Sequence, residues 1–537
     1  MIYKKSLIGT SARDKILAGA KKVYEPVASS LGPRGSNCSI GRDFGSVITH
    51  HDGINILREL TPLEDPFENI GAELVKDAAD KMDAVGDGTT LTTILTYAIA
   101  KEANKNIVAG ANSRMIRKGI ELAVDKIVDN VDKMAIPITT DEQIKQIATI
   151  SAQDEEIGDL ISTAIKKLGK DAIITVEESG SADMSIDYKE GMAFDKGYQH
   201  REFINKPESN ECVIEDPYIL ITDKVINDLN ELSHFLLAYD AGQKARTIEN
   251  ASIVIISNGV HDAPLATLIS GKRSGIAHPL CITAPGYGEQ QIEFLNDLAV
   301  STGATLISST IGTKLVDFDI KYLGRAKKVV STKDSTTIIG GMGEKKNIDE
   351  RVGLIKSQIK QSKAEYDTEK LQERLAKLTS GIAVINVGAS SDSEMREKKE
   401  ACIDAISAVK SSLEDGIVAG GETTLISCIN SVPHGLDGDI AIGAGVVVKA
   451  CTKPFEKLME NSGYNAGQML ERLISQPEGY GIDVMDGKSK NMIEAGIIDP
   501  AKVVKSALRN AASCAGSIIT TDSIVATFED KNGNGQE

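Results

Sequence analysis

Apolar residues recur at helical spacing in both ends of the chain. Ile16, Ala20 and Val23 predict a helix within residues 11–35, and the Gly32-Pro33 step ends it. Further helical patterns, many of them rich in alanine, cover residues 53–134, 141–170 and 394–520. We therefore expect mainly helical structure at both ends.

The middle of the chain has a different pattern. Between residues 190 and 345, short apolar runs alternate with helical segments, which predicts an α/β module. The predicted elements are strands at 172–177, 218–222, 251–256, 280–283 and 382–387, helices at 262–274 and 289–302, two charged helices within 350–380, and a hairpin of 38–40 and 47–49 around Phe44-Gly45. The order predicts one discontinuous helical domain with the α/β module inserted.

The composition narrows the class of protein. Hydrophobic residues make up 41% of 537 residues, but aromatic residues only 4%, so small aliphatic side chains must supply most of the packing. The net charge of −17 argues against general nucleic-acid binding, which needs a basic face. We expect a globular protein with no nucleic-acid partner.

Cysteine usage and the N-terminus bear on location. The seven cysteines are scattered without CxxC spacing, which argues against a disulfide framework or a zinc site. No apolar run suits a signal peptide or approaches the roughly 18 residues of a membrane span. We therefore expect a cytoplasmic protein with no membrane partner.

Gly86-Asp87-Gly88-Thr89-Thr90 is the most informative short motif. Glycines let the backbone approach a polyanion, and the N–H groups of a following helix can bind phosphate oxygens. A carboxylate in the same turn can hold Mg²⁺. The alternative is a plain turn that caps a helix. No Walker A or GxGxxG motif occurs in the chain.

Two more glycine turns and two more carboxylates extend this chemistry. Residues 31–35 and 415–421 are further candidate phosphate turns, although each alone is most simply a turn. Asp52 precedes a glycine, and Asp404 lies in a helical pattern. ATP hydrolysis needs a metal and a group that orients water, which separate aspartates can provide. The alternatives are a turn residue for Asp52 and an exposed helix residue for Asp404.

Taken together, these motifs resemble the GroEL-type group I chaperonins, the 60-kDa chaperonin family. The resemblance follows the family order and covers about residues 8–525. The motifs that carry it are Leu31-Gly32-Pro33-Arg34-Gly35, Gly86-Asp87-Gly88-Thr89-Thr90, Ile150-Ser151-Ala152, Phe203-Ile204-Asn205-Lys206-Pro207-Glu208, Ala284-Pro285-Gly286-Tyr287-Gly288, Lys370-Leu371-Gln372-Glu373-Arg374-Leu375-Ala376-Lys377-Leu378, Gly416-Ile417-Val418-Ala419-Gly420-Gly421 and Gly496-Ile497-Ile498-Asp499-Pro500.

The resemblance implies a multidomain α/β chaperonin fold with three domains. An α-helical equatorial domain that binds ATP would comprise residues 1–134 and 415–525. A small α/β intermediate domain, acting as a hinge, would comprise 135–189 and 383–414. An inserted α/β apical domain would comprise 190–382, and 526–537 would be a disordered tail.

The resemblance also implies an ATPase site with Mg²⁺ and K⁺ as cofactors. Asp87 resembles the Mg²⁺ ligand, Asp404 the residue that activates the hydrolytic water, and Asp52 its partner across the site. The other implied nucleotide contacts are Ser30, Leu31, Gly32, Pro33, His51, Gly88, Thr89, Thr90, Leu91, Gly421, Gly481, Ile482, Asp483 and Asp499, with Asp499 at the ribose.

The implied partners are unfolded polypeptide clients and further copies of the chain in a homo-oligomeric ring, with seven subunits expected. An apolar groove captures clients because both surfaces gain by leaving water. The implied groove residues are Tyr198, Phe203, Leu236, Leu265 and Ile269. The alternative is that these side chains pack the apical core.

The sequence departs from the family pattern at the nucleotide site. His51 replaces a lysine, Leu91 a threonine, Glu422 a third glycine, and Gly481-Ile482-Asp483 an Asn-Ala-Ala segment. The adenine contacts are therefore in doubt. Such divergence suggests a specialised paralogue or a virus-encoded chaperonin, which would work in the host cytoplasm.

Two other departures concern assembly. Residues 199–202 are more polar than the usual groove, so the need for a co-chaperonin lid is open. Glu456 and Asn465 stand where the family has an Arg/Glu pair between rings, so a double ring is less secure. The leading hypothesis is an ATP-driven folding chamber. The alternatives are a holdase or scaffold that cycles ATP poorly and, with little weight, a small-molecule kinase or ATPase.

Overall fold

The computed structural model describes most of the chain. The described residues are 2–41, 47–82, 85–169, 172–179, 183–207, 209–244, 252–308, 310, 312–361, 371, 374–375, 377–379 and 381–529. The predicted turn at Phe44-Gly45, most of the second charged helix, and the motif residues Glu208, Lys370, Gln372, Glu373 and Ala376 lie outside them.

Helices occur along the whole described chain and dominate both of its ends. They are α1 (Thr10–Ser29), α2 (Gly53–Leu60), α3 (Pro66–Asp80), α4 (Thr89–Val108), α5 (Ser113–Met134), α6 (Asp141–Ala152), α7 (Glu155–Leu168), α8 (Leu229–Lys244), α9 (Asp262–Arg273), α10 (Gly288–Thr302), α11 (Lys345–Gln361), α12 (Asp392–Asp415), α13 (Thr424–Ser427), α14 (Gly438–Ala450), α15 (Lys453–Asn461), α16 (Ala466–Ile474) and α17 (Ala501–Thr520).

Strands are concentrated in the middle of the chain. They are β1 (Ile2–Ile8), β2 (Cys38–Ile40), β3 (Ile48–His50), β4 (Ile173–Glu178), β5 (Ser185–Phe194), β6 (Cys212–Glu215), β7 (Tyr218–Ile221), β8 (Ser252–Ser257), β9 (His278–Thr283), β10 (Gly324–Ser331), β11 (Thr336–Gly341), β12 (Gly381–Val387), β13 (Ile417–Ala419), β14 (Tyr480–Asp483), β15 (Lys488–Asn491), β16 (Ile498–Pro500) and β17 (Ser523–Glu529).

The contacts divide the chain into two compact units. The first unit comprises Met1–Thr163 and Ala389–Glu537, and the second comprises Ala164–Gly388. The first is discontinuous and mainly helical, as the order of sequence patterns predicts. The division does not separate an equatorial from an intermediate domain, so the three-domain boundaries stay a prediction.

Small residues let the helices of the first unit pack closely. A Cβ on Gly19 of α1 would lie 1.7 Å from the Glu68 carbonyl oxygen of α3, and one on Gly71 would lie 1.9 Å from the Ile16 carbonyl oxygen. Only glycine fits at these crossings. Alanine and valine of α4, α5, α14 and α17 fill the largest core cluster of this unit. This packing explains how a chain with few aromatic residues builds a core.

The two ends of the chain pair with each other. β1 and β17 run antiparallel over their full lengths, with Lys5 opposite Ala526. The pattern of polar residues in β1 gave no strand prediction. The predicted disordered tail is wrong for residues 526–529, because ladder hydrogen bonds hold them in β17. Residues 530–537 lie outside the described part of the chain.

The second unit contains a mixed nine-stranded sheet. Its order is β4-β12-β5-β11-β10-β7-β8-β9, and β6 also pairs with β10. β7, β8 and β9 are parallel, and their apolar runs are buried, as expected for strands covered on both faces. The predicted strands and helices of the α/β module are observed with ends within three residues, whereas β5, β6, β10, β11 and α8 were not predicted.

An ion network fastens α11 to α10 in the second unit. Asp297 is fully buried and accepts hydrogen bonds from Arg351 Nε at 2.6 Å and Arg374 Nε at 2.8 Å. Glu293 accepts further bonds from both guanidinium groups. Each buried charge therefore has an opposite partner.

Among the described residues, no helix has the length and apolarity needed to cross a membrane.

Candidate functional site

The Gly86-Asp87-Gly88 turn leads directly into α4 of the first unit. Gly88 is the N-cap in a left-handed conformation (φ 89°), and no described side chain caps this helix end. The first N–H groups of α4 and the positive end of its dipole are therefore available to an anion. The motif is a helix-initiating turn that leaves these N–H groups without a side-chain cap, so the turn and the phosphate cradle are compatible interpretations.

Asp87 lies in this turn with its side chain open to solvent. Its carboxylate accepts the Gly88 N–H. Crowding by surrounding protein atoms raises its pKa above the usual value, and the charge of Asp52 raises it further. A carboxylate in this environment is stabilised by a bound cation.

Asp52 is the N-cap of α2 and accepts the Asn55 N–H at Oδ2, 3.2 Å away. The turn-residue interpretation is thus correct, but it does not exhaust its role. Burial raises the pKa of Asp52 despite this hydrogen bond. A Cβ on the next residue, Gly53, would lie 2.5 Å from Thr90 Oγ1 of α4 and 3.3 Å from Val27 of α1. Three helix ends therefore meet here.

Two carboxylates of the C-terminal segment, Glu422 and Asp499, lie near Asp87. Together with Asp52 and Asp87 they line what we call the recess. Val418 of β13 pairs with Asp499 of β16, and the turn after β13 contains Glu422 in the left-handed region (φ 61°). Burial, followed by the charge of Asp87, raises the pKa of Asp499 to about 7. Burial and the charges of Asp499 and Asp87 raise the pKa of Glu422 to about 8.

The recess is strongly acidic. Within the described residues, Asp87, Asp499 and Glu422 form no ion pair with a lysine or arginine, and they repel one another. Mg²⁺ in nucleotide sites typically takes one or two carboxylates, with phosphates and water completing its shell. Asp87 beside the free end of α4 fits that ligand set.

One face of α12 completes the site. Glu400, Asp404, Ser407 and Ser411 follow at helical spacing and so share this face. Ser411 Oγ donates to the Val85 carbonyl oxygen at 2.8 Å.

Gly86 allows α12 to approach the turn. A Cβ on Gly86 would lie 1.8 Å from Ser407 Cβ, so only glycine fits. At the other end of this face, Glu400 Oε2 accepts a hydrogen bond from Asn55 Nδ2 of α2 at 2.9 Å. Asp404 lies between these two contacts. Asp404 thus belongs to the stretch of α12 between its contact to α2 and its contacts to the 85–86 turn, a placement that sequence spacing alone cannot give.

The loop after α1 has its shape fixed by packing. Gly32 has φ 83°, and a Cβ there would lie 2.2 Å from Leu458 Cδ1. Ser30 is buried and its hydroxyl donates to the Val27 carbonyl oxygen, while Asn461 donates to the Leu31 carbonyl oxygen. Any nucleotide contact of Ser30 is therefore through its backbone. Pro33 is exposed.

The predicted base-contacting segment lies beside the Glu422 turn. A Cβ on Gly481 would lie 2.8 Å from Thr423 Cγ2, so β14 packs directly against that turn. Asp483 accepts a hydrogen bond from Lys490 at 2.6 Å and is occupied within the β14–β15 hairpin. Ile482 is buried at 1% exposure. Only the backbone of Gly481 and Ile482 is available to a base.

The side chains of two other predicted nucleotide contacts, Leu91 and His51, contact neighbouring protein groups. Leu91 has 6% exposure and packs in the core of the first unit, so the prediction of a nucleotide contact is wrong for its side chain. The His51 ring lies 3.0 Å from Asn37 Oδ1, next to β2. Sequence reasoning missed Glu400, Ser407 and Ser411, whose helical spacing from Asp404 on α12 was the available signal. It also missed Asn55 of α2, for which the sequence offered no such signal.

The residues predicted to line a client groove lie in the second unit. Tyr198, Leu236, Leu265 and Ile269 are half-buried and pack on its core. Phe203 is completely buried and packs in the core of this unit. The prediction that it lines an exposed groove is therefore wrong. Other apolar side chains are far more exposed, namely Leu237 at 68%, Ile276 at 73% and Tyr287 at 89%.

The chain thus combines a discontinuous, mainly helical unit with an inserted unit that contains a mixed sheet. The chain belongs to the TCP-1/cpn60 chaperonin family, whose sequence model matches residues 23–529. The predicted family and fold are thereby confirmed. A similar solved structure is that of the chaperonin gp146 from bacteriophage EL of Pseudomonas aeruginosa, crystallised in the presence of ATP-BeFx. It is 19% identical, with a TM-score of 0.70, over 97% of this chain and 98% of that chain.

Proposed function

We propose that this chaperonin hydrolyses ATP in the recess between α4, α2 and α12 and uses hydrolysis to release polypeptide clients bound to its second unit. The observation that carries the proposal is the α12 face. It presents Asp404 between a contact to the 85–86 turn and a contact to α2, whose N-cap is Asp52.

Each residue of the recess has a distinct task in the proposal. The N–H groups at the start of α4 and the hydroxyls of Thr89 and Thr90 bind phosphate oxygens. Asp87 holds Mg²⁺, which neutralises phosphate charge when bound. Asp404 accepts a hydrogen bond from the attacking water and orients it, with Asp52 opposite. Asp499 accepts a hydrogen bond from the ribose.

The remaining parts of the proposal come from the resemblance and from the similar phage chaperonin. The phage structure was crystallised with an ATP analogue, which supports nucleotide binding by this chain. K⁺ as a second cofactor and a ring of seven subunits rest on the family resemblance alone.

Client capture is assigned to the second unit. Leu237, Ile276 and Tyr287 expose apolar surface that a folded chain would otherwise bury. Unfolded chains offer matching apolar surface, and burying it is worth about 25 cal/mol per Å². His200, Arg201 and Glu202 lie in and beside a short 3₁₀ turn of the second unit. These polar residues favour clients with mixed polar and apolar segments.

Asp404→Ala tests the ATPase proposal. We expect ATP hydrolysis to fall by about a hundredfold or more, with nucleotide affinity preserved, because the carboxylate that orients the attacking water is removed. Glu414→Ala is the control. It removes a carboxylate of the same helix, and this carboxylate pairs with Lys502. Hydrolysis unchanged in Asp404→Ala would overturn the assignment.

Leu237→Ser with Ile276→Ser tests client capture. We expect weaker binding of a chemically unfolded enzyme, measured by co-sedimentation, while ATP hydrolysis without client stays unchanged. The matched control is Leu354→Ser, an exposed leucine on α11 of the same unit. Wild-type protein that holds the client but never releases it with Mg²⁺-ATP would instead favour the holdase, which the departures at Leu91 and at Gly481-Ile482-Asp483 support.

A further inference from the structure

Asn55 joins two elements of the recess. Its backbone N–H donates to Asp52 Oδ2 at 3.2 Å, and its side-chain amide donates to Glu400 Oε2 at 2.9 Å. The first bond caps α2, and the second reaches across to α12. A single residue therefore connects the N-cap carboxylate of one helix to the surface of the other.

Glu400 lies one helical turn before Asp404 on the same face of α12. The other end of this face is held by Ser407 against Gly86 and by Ser411 on the Val85 carbonyl oxygen. α12 is thus attached on both sides of Asp404. Loss of the Glu400 contact would remove the tie between α12 and α2, while α12 would keep its packing against α6.

We propose that Glu400 and Asn55 form a latch that positions Asp404 opposite Asp52 for ATP hydrolysis. Glu400 is a positioning residue, because it acts through α12 and does not touch nucleotide. The inference rests on the proposed ATPase function and deepens it by naming what holds the helix of the water-orienting residue in place.

The latch is held by a hydrogen bond against electrostatic repulsion. Burial and the nearby charge of Asp52 raise the pKa of Glu400 to about 7, and Glu397 adds to this effect. Arg58 of α2 and Arg396 of α12 act in the opposite direction. Because Gln keeps a side-chain oxygen that accepts the Asn55 amide, Glu400→Gln retains the hydrogen bond and removes the repulsion.

The test measures nucleotide affinity and single-turnover hydrolysis of the full chain. We expect Glu400→Ala and Asn55→Ala each to slow hydrolysis about three- to tenfold, while the dissociation constant for ATP changes less than twofold. The double variant should be no slower than the slower single variant, because both remove one contact. Glu400→Gln should match or exceed the wild-type rate.

The control is Glu414→Ala, which removes an exposed carboxylate from the same helix and should leave the rate unchanged. Multiplicative effects in the double variant would overturn the latch, because two residues of one contact cannot act independently. A Glu400→Gln rate as low as that of Glu400→Ala would do the same, since the acceptor would then be irrelevant.

Hydrogen exchange separates this inference from the proposed function. In nucleotide-free protein, the amides of α2 should exchange faster in Glu400→Ala than in wild type, and Glu400→Gln should resemble wild type. Unchanged exchange in Glu400→Ala contradicts the latch. Wild-type protein without ATP hydrolysis contradicts the proposed function, and the exchange measurement still decides whether the contact holds α2.

Discussion

Asp297 of the second unit and Asp87 of the first are both acidic residues crowded by protein, but their partners differ. Two guanidinium groups bind Asp297, which is fully buried. Asp87 accepts only the N–H of its own turn among the described residues, and its neighbours Asp52, Asp499 and Glu422 are also acidic. Asp297 is thus paired with opposite charges inside its unit, whereas Asp87 has no basic partner among the described residues and is the group that the proposed Mg²⁺ would neutralise.

The physical reason is the cost of an uncompensated charge. Removing one partner of a buried ion pair costs several kcal/mol, so the folded unit depends on every member of a buried charge network. The cluster of Asp87, Asp499 and Glu422, which form no ion pair among the described residues, is unfavourable until a cation or protons arrive, which couples its stability to ligand binding and pH.

The largest expected effect is on the paired carboxylate. Asp297→Ala should lower the free energy of unfolding of the second unit by about 3–5 kcal/mol, because Arg351 and Arg374 then lose their shared counter-charge. Urea unfolding monitored by circular dichroism measures it. Glu350→Ala, in an exposed pair with Lys346 on α11, should change it by less than about 1 kcal/mol. A similar cost for both variants would show that the network is not structural.

The unpaired carboxylate should behave in the opposite way. Asp87→Asn should leave the Mg²⁺-free protein at least as stable as wild type, because repulsion with Asp52 is removed. At saturating Mg²⁺-ATP the variant should lack the stabilisation of about 2–3 kcal/mol expected for wild type. Thermal unfolding with and without Mg²⁺-ATP tests this, and Asp77→Asn on the exposed surface of α3 is the control. Destabilisation of the Mg²⁺-free variant would remove the contrast with Asp297.

The third expected effect concerns pH. The pKa values of Glu422 and Asp499 are raised on folding, to about 8 and about 7. The folded protein therefore holds these protons more tightly than the unfolded chain, so their contribution is complete below about pH 4 and is lost as pH rises through 7 to 8. Without Mg²⁺, stability should fall between pH 6 and pH 8.5.

Two variants of Glu422 sharpen this prediction. Glu422→Gln should flatten the decline, since one of the titrating groups is gone. Glu422→Gly should flatten it too and should add about 1 kcal/mol of stability, because glycine adopts φ 61° without strain. Urea midpoints at the two pH values measure both effects. A decline as steep as wild type in both variants would show that Glu422 does not titrate in this range.

The sequence by itself determined the local elements and the kind of chemistry. Periodicity located α9, α10 and the parallel strands β7 to β9, because a helix or strand that buries one face needs apolar residues at a fixed short spacing. The glycines around Asp87 indicated a turn before a helix, and the family motifs indicated a chaperonin. All of these signals are contained within a few neighbouring residues.

Only the tertiary structure decided which distant residues meet. It pairs β1 with β17, buries Phe203, and places Asp404 between the Ser407–Gly86 contact and the Glu400–Asn55 bond. Partners separated by hundreds of residues leave no periodic trace in a single sequence. Their contacts depend on how whole helices pack, and packing is settled by the shapes of all the side chains together.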